Sequence, residues 1–188
     1  MTTSRLEAFS DGVLAIILTI MVLELKIPIG EDLNSLVPFI PKLLNYLLSF
    51  VFIGVYWNNH HHLFHAIEKI NGATLWSNLA LLFWLSLLPV ATGWLDEHIN
   101  AKWPAAIYGF ILFMSSLSFR LIEITALRVK GQSDIIINSL ENQRKENITI
   151  LLYLLGIGMA FILPIISIVL YVLVILMWLI PDKRIENL

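Results

Sequence analysis

Cysteine is absent from this 188-residue sequence, which excludes disulfides, thiolate metal sites and a cysteine nucleophile. Charge is scarce. Asp, Glu, Lys and Arg make up 14% of the chain and leave a formal net charge of −2, with no basic tract or acidic tail to suggest a nucleic-acid partner. Enzyme signatures are missing too: no G-x-S-x-G elbow, no H-E-x-x-H, no glycine-rich phosphate loop, and no second intramembrane aspartate to complete a carboxylate pair. No catalysis and no cofactor is therefore expected. Neither an internal repeat nor a low-complexity segment is evident.

What is present is apolar. Hydrophobic residues make up 58% of the chain, in continuous runs of membrane-spanning length rather than the alternation of a barrel strand. The fold class is an all-α membrane protein forming one domain over residues 1–188, with spans expected at about 5–25, 40–58, 73–94, 103–127, 147–163 and 165–180. The polar, proline-punctuated stretch from Glu24 to Lys42 reads as a loop, and Val129 to Asn147 as the longest polar segment. The last apolar stretch, Ile148 to Ile180, is long for one crossing and short for two, with Gly156, Gly158 and Pro164 offering a bend. Charge arbitrates. Six spans put nine basic residues on one side (Arg5, Lys69, Arg120, Arg128, Lys130, Arg144, Lys145, Lys183, Arg184) and three on the other (Lys26, Lys42, Lys102). Five spans would give seven against five. The steeper bias favours six spans with both termini cytoplasmic. The first apolar run is longer than a signal-peptide core and no small-residue cleavage site follows it, so it reads as a retained span.

That first span carries the polar groups that most need explaining. Ser4 and Glu7 have the spacing of a capping box, which predicts a helix start near Arg5. On a helical wheel Arg5, Gly12, Ile16, Thr19 and Leu23 fall on one stripe, flanked by Ala8, Phe9 and Ile20. Asp11 lies to one side and Ser10 on the far side. Buried polar groups in a span are costly, and Ser10 and Asp11 read first as hydrogen-bonding partners for neighbouring helices. Arg5 could snorkel to lipid headgroups. The stripe admits two readings. Small residues such as Gly12 and Thr19 suit ordinary helix packing; alternatively, copies meeting around an axis would stack Ile16, Leu23 and Ile20 as apolar rings with Thr19 hydroxyls between them, and such rings block ions by dewetting.

The run Tyr56-Trp57-Asn58-Asn59-His60-His61-His62-Leu63, with His65 beyond it, invites a metal reading. Three consecutive histidines point in three directions, however, and no carboxylate sits at helical spacing from them. They are expected to cap the second span and to hydrogen-bond groups such as Ser10 or Asp11, with possible pH sensitivity. Arg120 and Glu123, at i and i+3, are expected to pair. The tryptophans Trp57, Trp76, Trp94, Trp103 and Trp178 fall near predicted span ends, as interfacial rings prefer.

The Arg5-x-x-x-Phe9-Ser10-Asp11 pattern, followed by the apolar run from Gly12 to Leu25, resembles the signature of the transmembrane protein 175 potassium channel family. The Tyr56–Leu63 segment resembles that family's second marker, in which Trp57, His60 and His61 fall. The resemblance covers the chain, with no departure in either motif. It implies a passive potassium channel without the T-V-G-Y-G filter of ordinary potassium channels, lined by its first helices. Carried over by position relative to Asp11, it implies a constriction at Ile16, then Thr19 or Ile20, then Leu23, with Arg5, Phe9, Ser10 and Asp11 bracing the helix. Animal members carry two six-helix repeats and pair up in endosomes and lysosomes; a single repeat implies a homotetramer in a prokaryotic plasma membrane, its partners being potassium ions, lipid and itself. The competing reading is a secondary transporter coupled to protonation of Asp11 or the His60–His62 cluster. An intramembrane enzyme using Asp11 and the histidines lacks a nucleophile.

Overall fold

The computed structural model describes residues 3–67, 69–129 and 143–179, and every regular element among them is helical. In order these are α1 (Thr3–Leu23), a 3-10 helix (Leu33–Phe39), α2 (Ile40–Ala66), α3 (Gly72–Ser86), α4 (Leu88–Glu97), α5 (Lys102–Leu127), α6 (Arg144–Met159) and α7 (Pro164–Leu179). Four stretches are long and apolar enough to cross a bilayer: Thr3–Leu23, Leu33–Ala66, Gly72–Glu97 and Lys102–Leu127. With α6 and α7, six helical passes fit the chain. The last two have 16 residues each, about 24 Å at 1.5 Å per residue, at the short margin for a crossing.

Several boundaries differ from the sequence expectation, for local reasons. α1 is already helical at Thr3, so Ser4 lies within its first turn; helix ends commonly shift by a residue or two. The segment from Glu24 to Lys42 is not all loop. A 3-10 turn containing Pro38 leads directly into α2, where Pro41 occupies a first-turn position whose N–H would be unsatisfied anyway. α2 then runs through the histidines to Ala66 instead of ending before them. The third crossing bends at Leu87, because Pro89 cannot donate to the Leu85 carbonyl; the Leu87 N–H takes up Trp84 and Leu85 instead. Lys130, Lys183 and Arg184 lie outside the described residues.

α5 sits at the centre, packed against α3 on one side and α6 on the other, while α1 packs on α2 and α3. Within lipid the hydrophobic effect gives little drive for helix association, so close packing and interhelical hydrogen bonds must hold the bundle. Both are visible. Ser49 on α2 bonds the Thr92 hydroxyl of α4 at 2.7 Å and the Tyr108 hydroxyl of α5 at 2.8 Å. Tyr171 on α7 donates to the Ala105 carbonyl at 3.1 Å, and its ring fills the space left by two glycines. A Cβ on Gly109 would lie 1.9 Å from the Tyr171 Oη, and one on Gly156 would lie 2.4 Å from its Cε1. Replacing Gly109 by Ala should therefore destabilise the bundle by about 1–3 kcal/mol, the usual cost of overpacking, seen as a lower melting temperature of the purified protein in detergent. An unchanged melting temperature would mean that α5 and α7 are not in this contact.

Lys26 and Glu97 bring the end of α1 and the end of α4 to the same end of the bundle, with Nζ to Oε1 at 2.6 Å. The carboxylate pushes the Lys26 pKa upward, but the pair is exposed and such surface bridges contribute little.

Candidate functional site

α1 has two opposed faces. Leu6, Ser10, Leu14, Ile17 and Met21 are buried against the bundle. On the other side Arg5, Phe9, Gly12, Ile16, Thr19, Ile20 and Leu23 are all exposed, Ile16 by 60% and Leu23 by 77%. The stripe drawn from helical spacing is thus the face left uncovered among the described residues. Thr19 donates to the Ala15 carbonyl at 2.8 Å, which commits its hydroxyl hydrogen and leaves the oxygen's lone pairs free to face outward.

Glu7, Ser10 and Asp11 find partners on α2 and α3. Ser10, fully buried, donates to the Leu6 carbonyl at 2.9 Å and accepts from Asn78 Nδ2 at 3.0 Å. Asn78 in turn bonds His60 Nε2 through its Oδ1 at 2.8 Å. An amide oxygen only accepts, so His60 carries a proton on Nε2. Its Nδ1 is buried with no hydrogen-bond partner, and its ring lies 4.5 Å from that of Phe64. Asp11 accepts from the Trp57 indole at 2.9 Å. One turn earlier, Glu7 accepts from His61 Nδ1 at 2.5 Å. Trp57, His61 and His65 stack along one face of α2, at the i, i+4 spacing that places such side chains above one another.

These contacts correct the expected ones. The histidines lie within α2 rather than capping it, and His60 reaches Ser10 only through Asn78. Trp57, not a histidine, bonds Asp11. Arg120 turns to the start of α6, donating to Asn147 Oδ1 at 2.9 Å and to Oε1 of Gln143, the residue before that helix, at 2.5 Å. Sequence reasoning missed Asn78 and assigned Glu7 only a capping task. The available signal for Asn78 was an amide in the middle of an apolar span, where an unmet donor is costly. Among the described residues, no group of three or more His, Asp or Glu side chains is arranged to hold a metal ion.

α1 is consequently held in two ways along its length. From Glu7 to Asp11 it is fixed by hydrogen bonds to α2 and α3; from Leu14 to Met21 its buried contacts are apolar. Polar contacts set a helix's rotation about its axis more sharply than apolar ones, which are non-directional. The bonded segment therefore fixes which face of the later segment is presented outward.

Known proteins resemble this chain in sequence and fold. The sequence model described as endosomal/lysosomal potassium channel TMEM175 matches residues 5–89, the stretch that contains α1, α2 and α3. A potassium channel of Chryseobacterium sp. (strain P1-3) is 52% identical over 187 residues, covering 100% of this chain and 97% of that protein. The endosomal/lysosomal proton channel TMEM175 of Gallus gallus is 33% identical over 119 residues, covering 60% of this chain but 22% of the longer animal protein. The crystal structure of a lysosomal potassium-selective channel TMEM175 homolog from Chamaesiphon minutus superposes with a TM-score of 0.83 at 27% identity, over 96% of this chain and 98% of that one. Nearly full-length identity above half, together with that superposition, shows that the chain belongs to the TMEM175 family.

Proposed function

We propose that this chain is a subunit of a potassium-selective channel in a bacterial plasma membrane, and that four copies enclose the ion path with their α1 helices. The observation that carries the reading is the exposed stripe of α1. A face with Ile16 and Leu23 uncovered, backed by a polar-bonded face that fixes its rotation, suits a helix presented to a symmetry axis. Membership of the family and the near full-length likeness to a potassium channel support the same conclusion. The protein is a channel and not an enzyme.

In this arrangement Ile16 and Leu23 form two apolar rings one helical step of seven residues apart, and Thr19, with Ile20 beside it, lies between them. A narrow apolar ring strips water from a passing ion and offers nothing in return, so it sets the barrier. The Thr19 oxygens, with their hydrogens already committed to Ala15, face the path as acceptors and partly replace the lost hydration. Arg5 and Phe9 continue the stripe toward the end where α1 is bonded. Ser10, Asp11, Trp57, His60 and His61 brace the helix without meeting the ion. Both termini are placed on the cytoplasmic side, following the bias of basic residues.

A transporter driven by protonation would need Asp11 or the histidines to exchange protons with each side in turn. Asp11 is instead held by Trp57, and His60 is buried behind Asn78. The deciding measurement is ion flux from proteoliposomes loaded with potassium, with sodium replacing it in a parallel set and no proton gradient imposed. Passive efflux that prefers potassium is expected. Flux that appears only when a proton gradient is applied would establish the transporter. Thr19→Val, which keeps the side chain's shape and removes its oxygen, should reduce the preference for potassium over sodium while leaving assembly intact; equal selectivity in this variant would remove Thr19 from the path.

A further inference from the structure

The end of the bundle that holds the Lys26–Glu97 pair contains a feature that conduction along α1 does not require. Between the residues that follow α1 (Glu24, Leu25 and Lys26), the start of α2 and α4 lies an open cleft of about 340 Å³. Its floor is apolar and belongs to a face of α4 that is uncovered among the described residues: Val90 is 74% exposed, and a Cβ on Gly93 would meet nothing within 4 Å. Trp94 stands beside them, 42% exposed, at the level where an indole prefers the boundary between lipid and water. The rim above is charged, with Lys26 and Lys42 facing Glu24, Asp96 and Glu97.

Some of that rim is already engaged. Lys26 bonds Glu97 at 2.6 Å, and Asn45 Nδ2 donates to Asp96 Oδ1 at 2.6 Å. What remains is one ammonium and two carboxylates. Among the described residues, the side chains of Lys42 and Glu24 make no ion pair or hydrogen bond within the chain, and Asp96 keeps its second oxygen. A site with an apolar slot below, one cation and two anions above, and a tryptophan at the boundary matches a dipolar amphiphile. A phosphate would approach Lys42, and a group bearing N–H donors would approach Glu24 and Asp96. An anionic headgroup without a cation would meet two carboxylates, and a quaternary ammonium would bring charge but no hydrogen-bond donors.

We propose that this cleft binds a phospholipid whose headgroup carries a primary ammonium, with an acyl chain lying along Val90 and Gly93. The site is independent of the conduction reading, since neither the stripe of α1 nor its bonded face takes part. The test uses the full chain purified into mixed micelles containing equal amounts of phosphatidylethanolamine, phosphatidylcholine and phosphatidylglycerol, with native mass spectrometry reading which lipid stays bound. Wild type should retain phosphatidylethanolamine at least about threefold over either competitor. The combined variant Lys42→Ala and Glu24→Gln should abolish that preference. Gly93→Leu, which fills the slot without touching the rim, should reduce retention of all three lipids. Circular dichroism checks that each variant remains helical. Equal retention of the three lipids by wild type, an unchanged preference in the combined Lys42→Ala and Glu24→Gln variant, or undiminished retention in Gly93→Leu, would each overturn the proposal. So would an efficient disulfide between copies joined through Glu24→Cys and Val90→Cys, because it would place a neighbouring subunit in the cleft.

Discussion

Ile16→Asn channels in proteoliposomes should pass potassium on the order of tenfold faster than wild type and discriminate less well against sodium. Tenfold corresponds to lowering the barrier by about 1.4 kcal/mol, a modest demand on a substitution that turns an apolar ring into one able to hold water. The reasoning is local. Ile16 is 60% exposed on its own chain, so Asn at this position disturbs few of the contacts that fold the subunit, and a change in flux reports on the path. Leu23→Asn, at 77% exposure, should act in the same direction. Ile17→Asn is the informative control. Ile17 is 3% exposed and faces the bundle, so its substitution should cost stability and give no gain in flux. Unchanged currents in both Ile16→Asn and Leu23→Asn would remove these residues from the constriction, even if the chain still conducts.

How much of this could be read from residues alone depends on the range of the interaction. The stripe of α1 was legible because helical periodicity needs no partner: Gly12, Ile16, Thr19 and Leu23 share a face wherever the helix is put. The apolar runs likewise marked the first four passes, whereas dividing the last run into two needed the bias of basic residues. Partners were a different matter. The spacing of Arg120 and Glu123 on one helix was legible, but that the guanidinium also donates to Gln143 and Asn147 at the start of α6 depends on how α5 and α6 pack. The histidines looked like a terminus because polar residues usually end a span. α2 continues past them since the buried His60 faces Asn78 and the more exposed His61 faces Glu7, so that other helices meet much of their polarity. Glu7 illustrates the same limit. Its spacing from Ser4 suggested a cap, and only the packing of α1 on α2 brings it to a histidine 54 positions away.

Asn78→Leu should be the most damaging single substitution in the bonded segment, lowering stability by about 1–3 kcal/mol and abolishing potassium flux at temperatures where wild type conducts. Asn78 is fully buried and is the only link between His60 and the Ser10 hydroxyl among the described residues. Leucine has nearly the same volume, so the change leaves no large cavity; what it removes is an acceptor for His60 Nε2–H and a donor for Ser10 Oγ. Ser10 can still bond the Leu6 carbonyl on its own helix. His60 cannot compensate, because its other ring nitrogen is already buried with no hydrogen-bond partner. A histidine with neither nitrogen met, 1% exposed between helices, must either move or draw in water, and either response loosens α2 from α3 at the level where α1 is held. The flux should fail because the remaining ties of α1 in this segment, Asp11 to Trp57 and Glu7 to His61, both run to α2 alone; without α3 the helix can turn, and a turn of one residue moves Ile16 about 100° off the axis. A double-mutant cycle separates this from simple loss of packing. If Asn78 acts through His60, Asn78→Leu and His60→Leu combined should cost less than the sum of the two, since each alone strands the other's polar group and together they strand neither. Strictly additive losses would mean that the two side chains are not coupled, and Asn78 would then act on α1 only through its bond to Ser10.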